Sequence, residues 1–256
     1  MIAFVGHGAP TTALDPKKGG EMARVMEGLG TPKAILCISA HWEEDEPTLG
    51  TTTARKLIYD FHGFPEQLYH VQYPAPGAPE LAARVRALLH STCTVREAPE
   101  RGLDHGVWAP LLHLAPGGTI PVLQLSLAFP REPERLVAVG HALAPLHDEG
   151  VLLLGSGNVV HNLRAIDWNE RQPPPGWALE FDTWCEETLK RGDLNALAAF
   201  TATPSARLAH PTTEHFQPLL VVAGAAKRQG LVPRSTLTGF EYGSIGRRCV
   251  QWQPAG

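Results

Sequence analysis

Apolar positions along the chain fall into two kinds of run. Short runs rich in β-branched residues, at 2–5, 34–39, 121–126 and 151–154, read as strands buried on both faces. Between them, segments 20–29, 78–90, 132–146, 177–191 and 216–228 repeat apolar side chains at three- and four-residue spacing, as amphipathic helices do. The alternation predicts an α/β fold, a central mostly parallel sheet flanked by helices. Segments 48–52 and 236–250 are expected to add antiparallel edges, which makes the sheet mixed.

A length of 256 residues fits one domain spanning 1–256 and is enough to bury a core without the help of a metal or disulfides. Any metal is therefore expected to be functional. Lys plus Arg number 22 against 26 Asp plus Glu, a formal charge of −4, which argues against a broad nucleic-acid face. Cys37, Cys93, Cys185 and Cys249 are too far apart for a C-x-x-C redox or zinc motif, and no disulfide framework is implied. The first residues, MIAFVGHGAP, carry no basic leader and no apolar run is long enough to span a bilayer. A cytoplasmic protein without membrane or nucleic-acid partners is expected. No coiled-coil pattern or distinct interface segment marks an oligomeric state, which stays open.

Candidate chemistry lies where the strands end. The run at 2–5 passes into Gly6-His7-Gly8-Ala9-Pro10, the run at 34–39 into Ala40-His41-Trp42, and the run at 151–154 into Gly155-Ser156-Gly157-Asn158 with His161 beyond. In an open α/β sheet the ligand crevice lies outside the carboxyl ends of the strands, so these histidines share one rim. His215, in Glu214-His215-Phe216, joins them from the start of a predicted helix. A single loop histidine is most simply a surface or hydrogen-bonded core residue; four converging imidazoles point to a metal centre suited to Zn(II) or Fe(II). The spacing is long-range, so no local motif certifies it.

Other readings are weaker. The glycines at 155 and 157 lack the flanking pattern of a nucleotide-binding loop, and Ser39 and Ser156 lie near histidines without a G-x-S-x-G elbow. His62, framed by Phe61 and Phe64, fits a stacking wall or a packed loop, and His105 fits either a group contacting substrate or a structural residue. His210 fits a residue orienting His215 or Glu214. Trp108, Trp168, Trp177 and Trp184 read as core or pocket wall, and the charge run 43–46 as a solvated loop.

The blocks GHGAP at 6–10, SAHW at 39–42, YDFHGFP at 59–65, LDHGVW at 103–108, GSGNVVHNL at 155–163 and HPTTEHFQPL at 210–219 together resemble the class III extradiol ring-cleavage dioxygenases. The similarity is to the 4,5-DOPA extradiol dioxygenase-like branch, related to the catalytic subunit of protocatechuate 4,5-dioxygenase. It implies a mononuclear non-haem Fe(II) site, with Zn(II) often found instead in related proteins, acting on a small aromatic diol and dioxygen. His7, His41 and His215 correspond to the metal ligands. His161 corresponds to the acid-base histidine, sometimes counted as a fourth metal-site residue, and His105 to a pocket histidine that contacts substrate or oxygen. Relatives of the protocatechuate type use a glutamate as third ligand, so Glu214 beside His215 leaves two candidates for that position. Two other functions fit the same imidazoles: a zinc-dependent hydrolase, and a noncatalytic metal or small-molecule binding protein. The side chains do not name the catechol or the bond cleaved.

Overall fold

The computed structural model describes residues 1–50, 56–128 and 132–256. In chain order its strands are β1 (Ile2–Gly6), β2 (Ala34–Glu44), β3 (Thr48–Gly50), β4 (Arg96–Ala98), β5 (Val122–Ala128), β6 (Val151–Gly157), β7 (Val232–Leu237), β8 (Phe240–Glu241), β9 (Ile245–Gly246) and β10 (Cys249–Gln253). The α-helices are α1 (Pro16–Ala23), α2 (Pro79–Leu89), α3 (His105–Leu114), α4 (Pro133–Leu143), α5 (Gly176–Arg191), α6 (Leu194–Ala198), α7 (Ala206–Ala209) and α8 (Gln217–Arg228). Eight strands form one sheet in the order β4-β3-β5-β2-β6-β1-β10-β7, and β8 pairs with β9 as a separate ribbon.

The central strands β5, β2, β6 and β1 are mutually parallel, as their unbroken apolar runs predict. At the edges β3 runs antiparallel to β5, and β10 runs antiparallel to both β1 and β7, so the sheet is mixed. The expected edge segment 48–52 is realised as β3 through Gly50; Thr51 and Thr52 lie outside the described residues.

Both faces of the sheet are covered. Ile2 and Phe4 of β1 and Leu36 and Ile38 of β2 face a layer built on α2, α4, α5 and α8. Their neighbours Ala3, Val5, Ile35 and Cys37 face α1 and α3 on the other side. Each fully buried Phe in the first layer, such as Phe4, Phe181 or Phe216, contributes about 1.5–3 kcal/mol of transfer free energy. Arg248, just before β10, reaches Asp182 of α5 through paired contacts of 2.8 and 2.6 Å and so ties that helix to the sheet. Among the described residues no helix is long and apolar enough to cross a membrane.

Among the described residues the short helices α6 and α7 were not expected, and two longer helices also depart from the sequence reading. The segment expected at 20–29 begins earlier, at Pro16, because the Asp15 carboxylate accepts from the amides of Lys17 and Lys18 at 3.0 Å each and Pro16 supplies a first residue with helical φ. It tightens into a 3-10 turn at Arg24–Met26 and stops at Gly28, whose φ is +78°. Helix α3 was not expected: Pro110 sits inside it, and burial on nearly every side erases the amphipathic period.

Candidate metal centre

The carboxyl ends of three adjacent parallel strands deliver three imidazoles to one place. Gly6 of β1 lies opposite Gly157 of β6, and Ser39 of β2 lies opposite Ser156, so His7, His41 and the segment leading to His161 emerge side by side. The register of β2 against β5 shifts between Ile38 and Glu43, and that irregularity includes His41. His215 enters from the loop before α8, whose N-cap is Phe216. The Asn158 amide donates to the His215 carbonyl at 2.9 Å, which pins this loop to the end of β6. Gly157 makes the approach possible, since a Cβ there would overlap the same carbonyl oxygen.

The rings crowd together. Centroids of His7 and His41 are 5.1 Å apart, those of His215 are 5.4 Å from His7 and 5.0 Å from His41, and His105 lies 4.0 Å from His41. His161 stacks on His215 with centroids 3.4 Å apart and planes 8° from parallel. Ligand atoms of His7, His41 and His105 lie within 4.8 Å of one another, and so do those of His161, Glu214 and His215. The site thus contains a three-histidine cluster and a neighbouring His/Glu group. The trio that contains His7 and His41 joins them with His105 rather than with the expected His215.

Hydrogen bonds to Nδ1 fix the tautomers. Pro110 has no amide hydrogen for the Gly106 carbonyl one helical turn earlier, and the Ser156 hydroxyl donates to that carbonyl instead. With its proton committed, Ser156 Oγ accepts from His7 Nδ1 at 3.0 Å. The Asp60 carboxylate accepts from His41 Nδ1 at 3.2 Å through Oδ2 and from His105 Nδ1 at 2.9 Å through Oδ1, and the His105 amide donates to Oδ1 as well. Glu214 Oε1 accepts from His215 Nδ1 and from the Thr212 hydroxyl, each at 2.9 Å. Four imidazoles therefore hold their proton on Nδ1 and leave the Nε2 lone pair free, the arrangement that metal-ligating histidines adopt.

That arrangement leaves an electrostatic problem that a cation solves. The Nε2 atoms of His7 and His41 are 3.3 Å apart, and with both protons on Nδ1 neither can donate to the other. The buried Nε2 of His215 has no hydrogen-bond partner. An unpaired buried acceptor costs about 1–3 kcal/mol, so the facing Nε2 atoms of His7 and His41 and the unpartnered Nε2 of His215 suit a Lewis-acidic ion. Burial pushes His7 and His215 well below the ordinary imidazole value, and repulsion from neighbouring histidines pushes further; both are neutral, as ligands must be. Burial also lowers His41, but the Asp60 hydrogen bond together with Asp104 outweighs it and leaves that ring above its ordinary value. Burial alone would raise Asp60, yet the bonds from His105 and His41 hold its carboxyl far below the usual range. His161 is lowered to about 3, first by burial and then by His210.

All five expected histidines line one cavity of about 470 Å³, a size suited to a small ligand. Phe61, Phe64, Leu163 and Trp168 supply apolar wall, and the Phe61 ring stands edge-on to His105 at 5.5 Å. His62 lines the cavity from an exposed position, and Trp168, 60% exposed, is wall, whereas Trp108 is fully buried. His210 departs from its expected role: its Nε2 donates to the Val159 carbonyl at 2.7 Å, and its ring packs among Phe181, Phe200 and Phe216. Ser39 is no nucleophile partner either, since it donates to the buried Asp104 at 2.7 Å and accepts from the His41 amide. Asp60 was not singled out from the sequence; its signal was a carboxylate in the same aromatic block as His62.

Comparison with known proteins gives the family of the chain. Residues 20–246 match the family described as the catalytic LigB subunit of aromatic ring-opening dioxygenase. A 4,5-DOPA dioxygenase extradiol of Beta vulgaris is 43% identical over 230 residues, covering 87% of this chain and 85% of that protein. One of Escherichia coli K12 is 35% identical and covers 97% of this chain and 93% of that protein. The crystal structure of an uncharacterized protein from Escherichia coli K12 superposes with a TM-score of 0.79 at 32% identity, covering 97% and 98% of the two chains. By these matches the chain belongs to the class III extradiol aromatic ring-opening dioxygenases, in their 4,5-DOPA dioxygenase-like branch.

Proposed function

We propose that the protein cleaves a catechol-type diol by extradiol insertion of both atoms of dioxygen, at a single non-haem Fe(II) held by Nε2 of His7, His41 and His215. The observation that carries this reading is the set of tethered Nδ1 atoms, which leaves Nε2 of each of the three rings as the atom available to a metal. A ferrous ion bound there supplies open coordination positions for the two diol oxygens and for dioxygen. Zn(II) suits the same imidazoles as an alternative occupant. Glu214 is assigned to orienting His215 rather than to the third ligand position, because its carboxylate sits on the Nδ1 side of that ring.

His161 is assigned as the acid-base residue. Neither of its ring nitrogens has a hydrogen-bond partner among the described residues, and the ring lines the cavity stacked on His215, which places a free nitrogen where it can exchange a proton with a bound diol. Its contact with the His215 ring also accounts for its being counted with the metal-site residues. His105, held by Asp60 through Nδ1, presents Nε2 to the cavity as a polar contact for substrate oxygen. Phe61 and Phe64, packed edge to face with centroids 5.5 Å apart, form one apolar wall of the cavity against which a planar ring can lie. Residues 1–256 act as one catalytic domain in this reading, in a reducing, cytoplasmic setting supported by four unpaired cysteines.

The test is oxygen uptake by anaerobically Fe(II)-loaded protein on a panel of catechols, with the absorbance of a ring-opened semialdehyde followed in the same cuvette. Uptake matched by product supports the reading. No uptake at confirmed Fe(II) occupancy overturns it.

A further inference from the structure

Near the histidines the cavity is polar, and farther out it is apolar, with one basic side chain among the described residues. Among the described residues Arg164 is the only Lys or Arg that lines it. The two carboxylates in the lining, Asp60 and Glu214, are committed to His41, His105 and His215. Arg164 is not: it is exposed, and its guanidinium has no ion-pair or hydrogen-bond partner among the described residues.

The backbone that presents it is rigid. Arg164 lies in the 3-10 turn Leu163–Ala165, whose cap is Asn162. The Asn162 side chain accepts from the Arg164 amide at 2.9 Å and donates to the Leu208 carbonyl at 2.7 Å, and Ser244 donates to the Asn162 carbonyl at 2.8 Å. Asn162 itself is buried. A loop that ties down the root of an unpaired cation, beside an apolar wall of Leu163, Ile166 and Trp168, is built to receive an anion at the end of an apolar stem.

We propose that Arg164 determines substrate class by pairing with a carboxylate on the ring substituent, so that the preferred substrate is an anionic catechol, diol at the histidines and carboxylate at Arg164. The assignment rests on the ring-cleavage reading only for the placement of the diol. A planar guanidinium binds a carboxylate through two parallel N–H donors, and the pair here is partly solvated, so the gain in affinity is roughly 10- to 100-fold over a neutral analogue.

The test compares 3-(3,4-dihydroxyphenyl)propionate with 4-ethylcatechol, which lacks only the carboxylate. Dissociation constants are measured by anaerobic calorimetry on metal-loaded protein, and kcat and KM in parallel with oxygen. Wild type is expected to prefer the propionate at least tenfold. In Arg164→Gln the ratio collapses toward one, through KM rather than kcat, and Arg164→Lys retains an intermediate ratio because it keeps the charge but loses the fork. Arg164→Glu shifts preference toward 4-(2-aminoethyl)catechol. Equal binding of the two probes by wild type, a ratio that survives in Arg164→Gln, or an equal loss of both probes in that variant overturns the proposal. Binding that follows this pattern without any ring cleavage upholds Arg164 and refutes the dioxygenase reading instead.

Discussion

Substituting Gly157 by alanine tests whether the contact between the end of β6 and the loop before α8 positions the candidate metal ligand. The added methyl would overlap the His215 carbonyl, a backbone group that cannot swing aside as a side chain can. Overpacking of this kind costs about 1–3 kcal/mol. The buried bond from the Asn158 amide to the same carbonyl, 2.9 Å long, is lost or stretched as the loop retreats, at about 1–2 kcal/mol more. The total of about 2–5 kcal/mol lowers the melting temperature by about 5–15 °C for a chain of this size. Function suffers more than stability, because the displaced residue carries the imidazole: a shift of about 1 Å at a reacting centre lowers turnover by about 100-fold. The assay is thermal unfolding with and without Fe(II), with metal stoichiometry and ring-cleavage rate on the same samples. The metal-dependent rise in melting temperature should shrink in Gly157→Ala, since it scales with the logarithm of metal affinity. Gly20→Ala is the control: its Cβ meets nothing within 4 Å, it lies inside α1, and it should stabilise by about 0.5–1 kcal/mol. A Gly157→Ala protein that melts within about 2 °C of wild type, with an undiminished metal response, refutes the packing argument.

Three further outcomes follow from the same geometry. Ser156→Ala removes the acceptor for His7 Nδ1 and the donor for the Gly106 carbonyl, so metal affinity by competitive chelator titration should fall about 10- to 100-fold; an unchanged affinity would show that the hydroxyl does not set the tautomer. His7→Ala and His215→Ala should lose metal by elemental analysis, whereas His161→Ala should keep it and lose at least about 100-fold in turnover; metal retained in His215→Ala and lost in Glu214→Ala reverses the third-ligand assignment. His210 is held at about 4 by burial, below the ordinary imidazole value of about 6.5, so between those values the unfolded chain binds its proton and the folded chain does not. Stability from this residue is full above pH 6.5 and is lost as pH falls toward 4, with a slope of about 1.4 kcal/mol per pH unit; urea unfolding of metal-free His210→Gln should be flatter than wild type by that slope, and parallel curves would contradict it.

The central strands were legible because burial on both faces writes the same residue types at every position. The runs at 2–5, 34–39, 121–126 and 151–154 each lie within or within one residue of an observed strand, and the main errors are at their carboxyl ends, where β2 and β6 run on to Glu44 and Gly157. Those extensions contain His41 and Ser156, polar residues that interrupt an apolar pattern because they belong to the site. Helix α3 was invisible for a related reason. Its proline reads as a helix breaker, yet the carbonyl that Pro110 frees is the one that Ser156 uses to orient His7. The local rule fails where the tertiary structure takes the exposed backbone group as a hydrogen-bond acceptor.

The histidines were legible individually, since strand ends and a helix start place His7, His41, His161 and His215 on one rim by a general property of α/β sheets. What holds them was not. Asp60 reaches His41 and His105 from a loop whose path no periodicity encodes, and it bridges residues 19 positions before it and 45 after it. Arg164 stands three residues after His161, just past the block at 155–163 that carries the family resemblance, and its charge gave no signal in a chain with 22 basic residues. Only the cavity separates it from the others, by leaving it unpaired where Asp60 and Glu214 are both engaged. The metal-binding chemistry thus depends on residue types that a sequence displays, whereas substrate choice depends on which charge is left without a partner, a property that exists only once the chain has folded.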